Sequence, residues 1–143
     1  MRQALGEARC AFAEGVIPVG ALVVDTTGTV VALARNRDNL PTEHAEILAI
    51  NDACAKLKLN KLRGFTLYTT LEPCIMCSGA ILNSQISRVV FGAWDSKFGA
   101  AGSVWDILRD PASPHHPETL GGVLEDECST LLTRFFFALR RAE

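Results

Sequence analysis

No run of 18 apolar residues occurs anywhere in the 143-residue chain, so no stretch of the sequence reads as a membrane-spanning helix. The first residues, MRQALGEARCAF, are interrupted by Arg2, Glu7 and Arg9 and lack the continuous apolar core of an export signal. A cytoplasmic protein with no membrane partner is expected. Positive charge is scarce too: 14 Lys and Arg against 16 Asp and Glu leave a net charge of -2 and a pI near 5.9. The global basic field that marks many nucleic-acid binders is therefore missing. Internal repeats and low-complexity runs are absent, which argues against a solenoid or a disordered chain. The five cysteines are an odd number in a chain without an export signal, which argues against a disulfide framework and for reduced thiols.

What remains is ordinary globular composition, 48% hydrophobic and 21% charged. A chain of this length buries roughly 68–70% of its unfolded surface, and no linker divides it, so one domain over 1–143 is expected. Helical spacing of Leu5, Ala8 and Phe12 predicts a helix over 2–14 that stops at Gly15. VGALVVD and TVVALAR, separated by TTG at 26–28, predict an antiparallel hairpin. HAEILAINDACAKL from His44 predicts a second helix, and FTLYTTL at 65–71 a third strand. PCIMCSGAILN at 73–83 carries Pro where a helix start tolerates it and predicts a third helix. RVVFGAW at 88–94 is the fourth strand. A strand, helix, strand crossover makes strands three and four parallel, so the sheet should be mixed. VWDILRD predicts a short helix, and the segment from about 123 to 142 a closing one. Cys10, Cys54 and Cys128 lie in apolar, helix-like surroundings and are expected to be small buried hydrophobes.

The chemistry concentrates in two short stretches. EPCIMC at 72–77 places Cys74 and Cys77 three positions apart, close enough for one ion to reach both sulfurs. Such a pair alone also fits a disulfide exchanger, a redox sensor or half a zinc ribbon. His44, in HAE, supplies a third ligand at the start of another helix. Three protein ligands leave one tetrahedral position for water, the arrangement of a catalytic rather than a structural zinc, and zinc lowers the pKa of that water to about 7. Glu46 lies two positions from His44; in the first turn, side chains leaning toward the N-terminus can still converge beyond the helix end. There it can accept a proton from water and return it to a substrate. The reaction expected is attack on an amidine-like carbon with loss of ammonia.

The ordered pair HAE and PCxxC, with IPVGALVV at 17–24, NR at 36–37, RVVFGAWDSKFGAAGS at 88–103 and FFFALRR from 135, resembles the bacterial tRNA adenosine deaminases, a branch of the cytidine/deoxycytidylate deaminase superfamily. The resemblance implies a three-layer α/β/α sandwich, cytidine-deaminase-like, around a five-stranded mixed sheet. It also implies one Zn2+ per chain, a homodimer, and conversion of adenosine to inosine at the wobble position of a tRNA anticodon stem-loop. His44, Cys74 and Cys77 match the zinc ligands and Glu46 the proton shuttle. Asn36 matches the residue that hydrogen-bonds the extruded purine. Asp95 and Lys97 fall in the loop that meets the anticodon, and Phe135, Phe136, Arg140 and Arg141 in the terminal helix near the RNA. Against the family pattern, the chain stops after RRAE without a basic tail, Glu43 stands where a small residue is common, and Phe137 where a basic one is. Weaker RNA binding is the expectation from all three. His115 and His116, in a Pro-rich loop, are read first as solvated surface. The rivals are the same chemistry on free guanine, cytosine or cytidine, and a non-enzymatic module with a structural zinc or dithiol.

Overall fold

The alternating and helical patterns resolve into helices and strands in a computed structural model that describes residues 1–143. In chain order these are α1 (Arg2–Ala13), β1 (Gly20–Val24), β2 (Val30–Arg35), α2 (Ala45–Leu57), β3 (Thr66–Leu71), α3 (Ile75–Ser84), β4 (Arg88–Ala93), β5 (Glu118–Leu120) and α4 (Glu125–Ala142). The sheet order is β2-β1-β3-β4-β5. β1 runs antiparallel to β2 and to β3, with Ala21 opposite Ala34 on one side and Thr69 on the other. β3, β4 and β5 are mutually parallel, as the β3–α3–β4 crossover requires. The sheet is therefore mixed and five-stranded.

α2 and α3 cover one face of the sheet, α1 and α4 the other. Ala45, Ala49, Ile50 and Ala53 of α2 and Ile81 of α3 pack with Val23, Leu67, Val89 and Phe91 in the main core. Leu5 of α1 and Cys128 of α4 close a smaller cluster with Ala93. Helix spacing on that second face is set by a close approach: a Cβ on Gly20 would come within 2.8 Å of the Ala8 backbone nitrogen, so only glycine lets α1 lie against β1.

Some details differ from what the sequence suggests. VWDILRD forms only a single 3-10 turn at Ile107–Arg109, because the Ile107 N–H donates to Ala100 O within a tight loop and Pro111 stops any continuation. β5, three residues with one strand partner, falls beyond the irregular stretch, where no alternation announced it. Cys10 is exposed rather than buried, since α1 turns Ala4, Leu5, Ala8 and Ala11 inward instead. His115 and His116 act in the loop: their ring nitrogens bond the Ile86 and Asp110 carbonyls at 2.6 and 2.8 Å.

Candidate active site

His44 and Cys74 are the N-cap residues of α2 and α3, both in extended conformation, and neither side chain caps its own helix. Each is thus free to turn outward, beyond the helix end. Cys77 sits one turn into α3. The His44 Nδ1 lies 3.6 Å from Cys74 Sγ and 3.5 Å from Cys77 Sγ, and the three ligand atoms all fall within 4.8 Å of one another. A tetrahedral zinc with Zn–S of about 2.3 Å and Zn–N of about 2.05 Å has N–S edges of about 3.6 Å, so this trio is spaced for that ion. Two helix N-termini, each with unpaired N–H groups and a positive dipole end, face the sulfurs and favour their ionised form.

The Cys74 thiol pKa is drawn down to about 4, most strongly by a hydrogen bond from the Cys77 thiol and further by His44. Cys77 is pushed up, first by that same bond to Cys74 and then by burial. The His44 imidazole is raised by its bond to Cys74. The thiolate so favoured at Cys74 is the form that binds a divalent cation, and binding would displace the protons its neighbours hold. Glu46, in the first turn of α2, is only 3% exposed. Burial, opposed by its own backbone amide and by His44, raises its pKa above the usual carboxylate range. Beside a metal trio, that is the condition of a general acid and base.

His44, Glu46 and Cys74 all line one cavity of about 820 Å³. Asn36 lines it as well: its Oδ1 accepts the Ala45 N–H at 2.7 Å, supplying the cap that His44 does not. Its NH2 group has no partner within the chain and is open to a ligand. Asp95 and Lys97 also line the cavity, with Asp95 Oδ1 accepting the N–H groups of Lys97 and Phe98 at 2.9 and 3.1 Å. Phe136 joins them.

The other terminal-helix expectations are placed elsewhere. Phe135 is turned into the core, edge-on to Phe12 at 5.6 Å, because α4 packs this phase of its surface against α1. Arg140 and Arg141 lie at the exposed end of α4, outside the cavity, with the Arg141 guanidinium 5.7 Å from the Phe137 ring centroid. Glu43 tightens the preceding turn through the Leu40 N–H instead of facing the metal trio. Among the lining residues that sequence reasoning did not single out are Trp94, Phe98 and Trp105, each 44–64% exposed, and the buried Glu72. A charged residue immediately before Pro-Cys at a strand end was the available signal for the last.

A mixed α/β/α sandwich with an imidazole and two sulfurs spaced for one ion, beside a buried carboxylate, defines the zinc-dependent deaminases. The model of the cytidine and deoxycytidylate deaminase zinc-binding region matches residues 1–93. The tRNA-specific adenosine deaminase of Bacillus subtilis is 42% identical over 144 residues, spanning 99% of this chain and 89% of that one. That of Aquifex aeolicus is 46% identical over 143 residues, spanning 98% and 93%. A solved structure from work on A-to-I editing by tRNA:A34 deaminases at the wobble position of transfer RNA superposes with a TM-score of 0.89 at 41% identity, covering 92% of this chain and 97% of that one. The guanine deaminase of Nitrosomonas europaea gives 0.80 at 26% identity, covering 92% and 80%. The chain belongs to the tRNA-specific adenosine deaminase family.

Proposed function

We propose that this chain deaminates adenosine to inosine at the wobble position of a tRNA anticodon, consuming water and releasing ammonia. The observation that carries the reading is the zinc-spaced trio of His44, Cys74 and Cys77, with the buried Glu46 lining the same cavity as His44 and Cys74. When bound there, zinc supplies the Lewis acidity that makes water nucleophilic at neutral pH. Glu46 accepts a proton and returns it to the base, a role typically worth about 10² to 10⁴ in rate. Asn36 orients the base through its unpartnered NH2, and Lys97 supplies a cation at the cavity wall.

A nucleic-acid substrate is supported by the walls as well as by the relatives. Both tryptophans and two of the seven phenylalanines line this cavity, and exposed aromatic faces stack on unpaired bases at about 1–3 kcal/mol each. Such a substrate places the enzyme in the cytoplasm. A homodimer is supported by α3, which carries no charged residue over 75–84 and leaves Ala80 and Leu82, outside the cavity, only partly covered. On this reading the substrate contacts come from Asn36, Asp95, Lys97 and Phe136; Arg140 and Arg141 touch RNA only outside the cavity.

The test is turnover of an anticodon stem-loop with A at the wobble position, run beside free adenine, guanine, cytosine and cytidine. Conversion of the stem-loop alone is expected; conversion of only the free compounds overturns the tRNA reading. Glu46→Ala should retain about one zinc per chain and lose turnover, whereas a structural zinc site would leave any activity intact.

A further inference from the structure

Glu72 is the most deeply buried carboxylate in the chain, at 1% exposure, and it has no cationic partner. Its two oxygens are held instead by one loop. Oε1 accepts the Asp95 N–H at 3.0 Å and the Ser103 hydroxyl; Oε2 accepts the N–H groups of Ala101 and Ser103, both at 3.0 Å. The neighbouring Pro73 carbonyl takes the Ala100 N–H at 2.8 Å. At Gly99 the loop passes so close that a Cβ would lie 2.5 Å from Glu72 Oε1 and from Asp95 O, which no side chain tolerates. A buried carboxylate without a cation is costly unless donors saturate it, and four donors from one segment do so.

That segment, 95–103, carries Asp95, Ser96, Lys97 and Phe98 into the cavity wall, while Glu72 stands two residues before the ligand Cys74. We propose that Glu72 is a positioning residue: a latch that holds the substrate-facing loop in register with the metal ligands, so that the cavity is already shaped when substrate arrives. This rests on the proposed function, since it takes the loop to be a substrate wall. A latch of this kind governs the fraction of molecules competent to bind. Weakening it raises KM in proportion to the competent fraction lost and leaves kcat nearly unchanged, because bound substrate restores the loop.

The experiment compares the zinc-loaded wild-type chain with Glu72→Gln and Ser103→Ala. Amide hydrogen exchange at 95, 101 and 103, zinc content, and kcat and KM on the wobble-A stem-loop are each measured. For Glu72→Gln, KM raised about 10-fold is expected, with exchange at these amides faster by about 100-fold or more because the latched fraction falls from near 1 to about 0.1, kcat within threefold and zinc retained. Ser103→Ala, which removes a single donor, should move KM the same way by about threefold, and it decides the matter if Glu72→Gln does not fold. Unchanged exchange and KM, loss of zinc, or a fall in kcat at constant KM each overturns the latch. A wild-type chain inactive on the stem-loop defeats the tRNA reading instead, and the exchange comparison then decides the latch by itself.

Discussion

Asn36 has two faces, and substitution can separate them. Its Oδ1 holds the Ala45 N–H at 2.7 Å at a side chain only 9% exposed, while its NH2 is free to meet a base. Asn36→Ala removes both and leaves a buried donor unpaired at the start of α2, which costs about 1–3 kcal/mol. At about 2–4 °C per kcal/mol for a chain of this size, Tm falls by about 2–12 °C. Asn36→Asp keeps the acceptor and places negative charge at a helix N-terminus, favourable by about 0.3–1 kcal/mol, so Tm should stay within about 4 °C of wild type. It loses the donor, however, and turns a charged acceptor toward the acceptor atoms of a purine. A loss of about 100-fold in kcat/KM, equivalent to about 2.7 kcal/mol, is expected on the wobble-A stem-loop. Differential scanning calorimetry and steady-state kinetics on the same zinc-loaded preparations give both numbers. An Asp variant within fivefold of wild-type activity removes Asn36 from base recognition; an Ala variant as stable as wild type removes it from capping α2.

With zinc stripped, Cys74 should react with iodoacetamide at pH 6, above its thiol pKa of about 4, while Cys128, buried and pushed up to about 11, stays unlabelled. Mass spectrometry locates the adduct, and zinc should restore protection; labelling elsewhere first contradicts the assigned thiolate. Burial raises the Glu46 pKa in the folded chain above its unfolded value, so its contribution to stability is full below the unfolded pKa and is lost as pH rises toward the folded one. Metal-free Glu46→Gln, compared with metal-free wild type by thermal melts, should therefore gain in relative stability as pH rises from 4 and then level off; a variant that loses stability relative to wild type as pH rises refutes the assignment. Gly20→Ala pushes a methyl into the α1 backbone and should lower Tm strongly or prevent folding, whereas Gly6→Ala, with open space around its Cβ position, should be tolerated.

The metal trio was legible because its geometry is local. Cys74 and Cys77 are neighbours in sequence, His44 marks a helix start that a hydrophobic period reveals, and both helix starts point their dipoles at one place. The mixed sheet was legible for a similar reason, since a strand, helix, strand segment leaves parallel pairing as the ordinary outcome. The Glu72 contacts were not, because its partners stand 23 to 31 positions away and no periodicity connects them. Phe135 and Phe136 differ only in rotation about α4, and which of them faces the cavity is set by Phe12 on α1, a tertiary fact. β5 is too short for alternation to register, and its one backbone ladder is supplied by β4.

The same crossover that makes β3 and β4 parallel explains why ligand and loop are joined at Glu72. Parallel neighbours end side by side: Leu71 pairs with Ala93, so the chain leaving β3 toward α3 and the chain leaving β4 toward the cavity wall start from adjacent points. The first exit must carry Cys74 into the metal trio, and the second must carry Asp95 and Lys97 over it. Two loops leaving one sheet edge bring their backbone N–H groups together where a regular ladder no longer satisfies them. A carboxylate on one exit, facing the amides of the other, resolves that excess of donors. The cavity wall is thereby tied to a rigid strand end, which is where a site that discriminates among bases gains most from being shaped in advance.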